Sequence, residues 1–117
     1  MSSHLTLRAL LEVHRMFIAE QREINAALIA TFLGVALGSR DTGAGRQVSM
    51  RELGQQVGLP ATTVSRHARY LGPGIREGEE GLGLVELIPS PEDGRSKHVR
   101  LTLKGEALLG RILMAGT

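Results

Sequence analysis

The stretch "SMRELGQQVGLPATTVSRHARYL", residues 49–71, leaves the chain few ways to fold. Ser49 and Glu52 have capping-box spacing, in which each side chain satisfies the other residue's free backbone N–H. A short helix is therefore predicted from Met50, with Leu53 and Val57 on its inner face. Gly58 supplies a sharp turn. Pro60 suits the first turn of a second helix, where its missing N–H costs nothing. That helix runs to about Leu71, with Val64, Ala68 and Leu71 inward. Thr62, Ser65, Arg66 and Arg69 fall at i, i+3, i+4 and i+7 and form an opposite polar stripe.

The flanks complete an arrangement. Residues 5–20 place Leu7, Leu10, Leu11, His14, Phe17 and Ile18 at helical spacing, one apolar stripe. Residues 23–37 are helical in composition and apolar on nearly every side, as in a central buried helix. Glycines mark 38–46 and 72–83 as loops. Residues 84–88 and 97–103 are strand candidates, with Asp93-Gly94 at the reversal between them. In the second, Val99, Leu101 and Leu103 alternate with His98, Arg100 and Thr102. Thr102 is placed to cap a last helix to about Met114, with Ala107, Leu108, Leu109 and Ile112 available for packing. The 117 residues make a single domain. Within it, 1–38 are N-terminal helices for core and dimerisation, 48–103 the two-helix unit and its hairpin, and 103–117 a C-terminal helix. The expected class is mainly α with a small β-hairpin.

Helix, tight turn, second helix with a basic polar face, then a hairpin is the order of a winged helix-turn-helix. A helix fits the major groove, where short polar and arginine side chains reach base edges and phosphates. A hairpin is able to lay an arginine into the neighbouring minor groove, where the potential is most negative. Charge placement agrees. The net charge is only +2 and the pI about 9.7. Yet residues 59–71 hold Arg66 and Arg69 without an acid, and Asp93 is outnumbered by Arg95, Lys97, Arg100 and Lys104. Between these islands Glu77, Glu79, Glu80, Glu86 and Glu92 outnumber Arg76. Localised basic patches on a near-neutral chain point to an anionic partner. Lys97 and Arg100 suit phosphate contacts or simple solubility better than base reading.

Other chemistries find little support. Cysteine is absent, which excludes disulfides and thiolate metal sites. His4, His14, His67 and His98 have no i, i+4 pairing and no carboxylate at ligand spacing, so neither a metal nor another cofactor is expected. "DTG" at 41–43 lies between predicted helices rather than on the strand-framed loop that an aspartic protease needs. The glycines at 38 and 43 lack the Lys-Ser/Thr of a phosphate loop. No nucleophile–base constellation appears, so no enzyme is expected. No targeting segment is visible, and the most apolar run, 26–37, is too short to span a bilayer. A soluble cytoplasmic protein without membrane contact is the expectation.

"RELGQQVGLPATTVSRHARYL" and "GLVELIPSPEDGRSKHVRLTLKGEALL" together resemble the winged-helix half of MarR-type (multiple antibiotic resistance regulator) transcription factors. The resemblance covers about residues 48–110, and the wing segment is its most specific part. It implies double-stranded DNA as the partner, with recognition-helix contacts at Thr62, Thr63, Ser65 and Arg66 beside the outward Arg69. It implies Arg95 as the minor-groove residue, oriented by a salt bridge from Asp93. It further implies a homodimer acting as a repressor on a roughly palindromic site. Small aromatic acids are frequent effectors in this family. With Phe17, Phe32 and Tyr70 the only aromatics, the sequence itself argues for no effector pocket. Departures from the family pattern are Pro60 at a usual Ser/Thr cap, Gly94 where a second wing arginine is common, and a longer loop at 72–83. The chain also ends at Thr117, where the family continues into further helix, so it reads as C-terminally shortened. Two other readings stay open: a winged helix that docks a protein partner, favoured by the acidic 77–80 loop, and an accessory DNA-binding protein for replication or recombination on a mobile element.

Overall fold

A computed structural model describes residues 6–41 and 47–116. Among them run α1 (Leu7–Glu20), α2 (Ala26–Asp41), β1 (Val48–Ser49), α3 (Met50–Val57), α4 (Ala61–Leu71), β2 (Val85–Pro89), β3 (Lys97–Leu101) and α5 (Leu103–Ala115). The expected class, mainly α with a small β-element, is what the chain forms. Residues 1–5, 42–46 and 117 lie outside the description, and with them most of the predicted 38–46 loop and the Thr42-Gly43 of "DTG".

Local signals set most helix ends. Thr6 caps α1 through Ala9 N–H at 3.0 Å, and Thr102 caps α5 through Gly105 N–H at 3.1 Å. Asn25 Oδ1 accepts Leu28 N–H at 2.9 Å, so α2 starts at Ala26 rather than at 23. At its other end α2 does not stop at Leu37 but continues to Asp41. Gly38 fits inside the helix because β1 crosses close by. A Cβ there would lie 2.3 Å from Val48 Cγ2. The glycine answers a close approach, not a loop.

The expected two-stranded hairpin forms as β2 and β3, and β1 joins it to make a three-stranded antiparallel sheet in the order β1-β3-β2. β3 pairs with β2 in the register Leu87↔Val99 and with β1 at Val48↔Val99. Val48 and Val99 are buried, so the sheet is fastened to the helices by its β1–β3 side.

One core serves the whole chain. Phe17 of α1 meets Phe32 of α2 edge to face at 5.5 Å between ring centres. Leu53, Val64, Leu71, Leu84, Val99 and Leu108 close around them with no exposed surface. α3 and α4 pack on each other and both on α2, while α1 packs on α5. The α1 core face is Ala9, Val13, Met16 and Phe17, which corrects the predicted stripe. Of that stripe only Phe17 is buried; Leu7 is 86% exposed, Leu11 62% and Ile18 49%. α1 carries two apolar faces, and this chain by itself covers one. On α5, Leu108 is buried with Leu109 and Ile112 partly so, whereas Ala107 faces solvent.

Candidate nucleic-acid interface

The helix-turn-helix is built as its sequence demands. Glu52 N–H donates to Ser49 Oγ at 3.0 Å and Ser49 N–H to Glu52 Oε1 at 3.3 Å, closing the capping box of α3. Gly58 ends the helix at φ 84°, in the left-handed region where a side chain would be strained. Its N–H and that of Leu59 both return to Gly54 O. Pro60 stands one residue before α4 as its N-cap position and not inside the first turn. It offers no side-chain cap; Thr63 and Val64 N–H bind its carbonyl.

α4 buries Val64, Ala68 and Leu71 completely. That anchoring leaves Thr62, Arg66 and Arg69 exposed and Thr63 and Ser65 half-buried. The five polar residues predicted on this helix therefore lie on or beside its outer side. His67 does not. Its Nδ1 lies 3.0 Å from Thr31 Oγ1 on α2, and burial lowers its pKa.

The wing tip spans residues 90–96, between β2 and β3. Ser90 N–H donates to Ser96 O at 2.8 Å and Gly94 N–H to Ser90 O at 3.0 Å; Gly94 takes φ 70°. Asp93 organises the tip through the backbone. Its Oδ1 accepts Arg95 N–H at 2.9 Å and Ser96 N–H at 3.0 Å, and its Oδ2 accepts the Ser96 hydroxyl at 3.0 Å. The salt bridge expected between Asp93 and Arg95 is absent from the ion pairs among the described residues. The carboxylate holds Arg95 by its N–H and leaves the guanidinium side chain exposed. Donation from Ser96 and Arg95 lowers the Asp93 pKa. Lys97 opens β3 and is also exposed.

Arg100 differs. It stands opposite Glu86 in the β2–β3 register, and its Nε donates to Glu86 Oε1 at 2.5 Å. This cation has a partner of its own on the sheet. Lys104 likewise reaches Glu20 at 3.2 Å, tying α5 to α1, and donates to Leu82 O at 2.7 Å. Neither pairing was readable in advance, because both depend on register and packing. For His67 a hint lay in Thr31, the one hydroxyl in the apolar run 26–37, which invites a polar partner.

The helix-turn-helix is not the chain's only concave surface. Leu10, Val13, His14, Ile29, Leu33 and Ile112 line an apolar groove of about 310 Å3 between α1, α2 and α5. It was not legible in the sequence, since aliphatic rather than aromatic side chains shape it. His14 Nδ1 donates to Leu10 O at 2.7 Å. No helix among the described residues is long and apolar enough to cross a membrane.

No protein-family profile matches the sequence, and no curated protein does. Solved structures do match. The chain superposes on the MarR family transcription regulator SP03579 with a TM-score of 0.61 and 23% identity, over 92% of this chain and 64% of that one. The transcriptional regulator PA3341 gives 0.60 and 25%, over 92% and 67%. BpsR of Bordetella bronchiseptica, whose DNA binding is regulated by 6-hydroxynicotinic acid, gives 0.56 and 20%, over 92% and 72%. The chain thus spans about two thirds of the length of these proteins. Its fold is the MarR-type winged helix.

Proposed function

We propose that the chain is a sequence-specific, double-stranded DNA-binding transcription regulator that works as a homodimer and represses by occupying its site. The observation that carries this reading is the pairing of two outward basic elements on one rigid frame: α4 with Arg66 and Arg69, and a wing tip whose Asp93 fixes the backbone of Arg95. In this reading α4 enters the major groove, with Thr62, Thr63, Ser65 and Arg66 reaching bases or phosphates and Arg69 the backbone. Arg95 reaches the adjacent minor groove and Lys97 a flanking phosphate.

The second apolar face of α1 supports dimerisation. Leu7, Leu11 and Ile18 of α1 and Leu113 and Met114 of α5 are exposed apolar side chains that a second copy would cover. Two copies related by a twofold axis would place two α4 helices on half-sites about one turn of duplex apart. The apolar groove suits the apolar part of a small effector, and BpsR, a protein of this fold, has its DNA binding regulated by a small molecule.

The acidic loop favours a second reading. Glu77, Glu79 and Glu80 are exposed and would repel phosphate, so a protein partner would be the target instead. Selection from random duplex DNA, followed by mobility shift, separates the two. An enriched palindrome is expected, with Arg66→Ala costing on the order of 1–3 kcal/mol on it. No binding to any duplex at low salt would remove the DNA reading.

A further inference from the structure

The polar groups of α4 that face away from the proposed duplex are as informative as those that face it. Val64, Ala68 and Leu71 form the buried inner surface of the helix, and apolar burial of this kind is non-directional. A directional bond adds a preference for one rotation. Thr31, fully buried on α2, provides it. Its hydroxyl donates to Ala27 O at 2.9 Å, which commits its hydrogen, so toward His67 the oxygen can only accept. His67 therefore carries its proton on Nδ1 and donates it across the helix–helix contact at 3.0 Å. The bond lies between Arg66 and Arg69 in the sequence of α4, on the side where α4 meets α2.

We propose that the Thr31–His67 hydrogen bond is the positioning contact of α4, fixing its rotation so that Thr62, Arg66 and Arg69 are presented together. This deepens the DNA-binding reading and rests on it for its consequence, though not for its physical test. His67 is a positioning residue; it acts through the arginines beside it. Burial, which disfavours the charged ring, keeps it neutral with a single committed donor.

Asparagine is the informative replacement, because its amide nitrogen is attached to Cγ as Nδ1 is and can make the same donation. His67→Phe retains bulk without the donor, and Thr31→Val retains shape without the acceptor. Amide hydrogen exchange of the free protein reads the contact without DNA. In His67→Phe and Thr31→Val the α4 amides should exchange about tenfold faster while those of α5 stay unchanged, the scale of one lost hydrogen bond. His67→Asn should exchange as wild type. Should His67→Phe fail to fold, Thr31→Val and His67→Asn still decide. Unchanged α4 exchange in Thr31→Val, or acceleration in His67→Asn equal to that in Thr31→Val, overturns the proposal.

The same proteins are then titrated with the selected duplex. Weaker specific binding in Thr31→Val with recovery in His67→Asn supports positioning for DNA. If wild type binds and Thr31→Val binds equally well, positioning for recognition is overturned. If wild type binds no duplex, the DNA reading falls, while the exchange result still decides whether this bond sets the helix.

Discussion

Asp93 grips Arg95 by the main chain: carboxylate oxygen Oδ1 accepts the Arg95 N–H at 2.9 Å, and the guanidinium stays in solvent. The arrangement separates the two jobs that a salt bridge would merge. The acid shapes the turn, and the arginine keeps its full charge for a partner. Asp93→Ala should therefore weaken duplex binding nearly as much as Arg95→Ala, although it removes a negative charge from the wing tip. Simple charge counting forecasts the opposite, tighter binding. Mobility shift with the two variants separates these accounts.

Acid titration provides a second check on the tip. Hydrogen bonds from Ser96 and Arg95 lower the Asp93 pKa, so folding favours its ionised form. The resulting contribution is present above the unfolded carboxylate value and is lost as pH falls through the lowered folded value. NMR should show the Arg95 and Ser96 amides shifting together in that acid range, with the core signals still in place. Asp93→Asn should abolish the joint shift.

His67 makes a different pH prediction, near neutrality. Its lowered pKa comes from burial alone, with no charged group contributing. The folded protein thus resists a proton that the unfolded chain accepts from about pH 6.5 downward. Its contribution is complete above that value and is lost as pH falls through the lowered folded pKa. Denaturant midpoints measured from pH 8 to 5 should decline in wild type, and His67→Asn should flatten that part of the decline.

Legibility in the sequence followed the range of the interactions. The α3–turn–α4 unit could be read because its signals are local: Ser49 with Glu52, then Gly58 and Pro60. Thr102 marked α5 in the same way. The α1 face could not, since Leu7, Leu11, His14 and Ile18 repeat with the same period as Ala9, Val13, Met16 and Phe17. Periodicity finds a stripe but does not say which stripe meets the core. β1 is too short to carry any pattern, and Gly38 imitated a helix break because Val48, ten residues on, needed its space. At the interface, the outward side of α4 followed from helical geometry. The partners of Arg100, Lys104 and His67 came only with strand register and helix packing.

The exposed α1 face is testable without any ligand. Leu11 and Ile18 lie outside the core of one chain, so Leu11→Asp and Ile18→Lys should change monomer stability by no more than about 1 kcal/mol. Sedimentation velocity should nonetheless move from dimer to monomer in each. The combined variant should restore some dimer if the two copies bring these side chains together. A wild-type monomer at all concentrations would leave the second apolar face without this explanation and remove dimerisation from the proposed function.

Arg100 offers the sharpest contrast among the cations. Arg66, Arg95 and Lys97 are exposed, whereas Arg100 already donates to Glu86 on the neighbouring strand. A phosphate would have to compete with that carboxylate and would meet its charge. Each free phosphate-binding cation contributes about one unit to the slope of log affinity against log salt. Lys97→Ala should lower the slope by about that amount, and Arg100→Ala should leave it nearly unchanged. Glu86→Gln supplies the converse, since it frees Arg100 and removes a nearby anion. Duplex binding by Glu86→Gln should tighten at low salt and acquire a steeper slope. A Glu86→Gln protein with wild-type slope would place Arg100 away from the duplex altogether, and an Arg100→Ala slope reduced as far as that of Lys97→Ala would show that the Glu86 pair opens on binding.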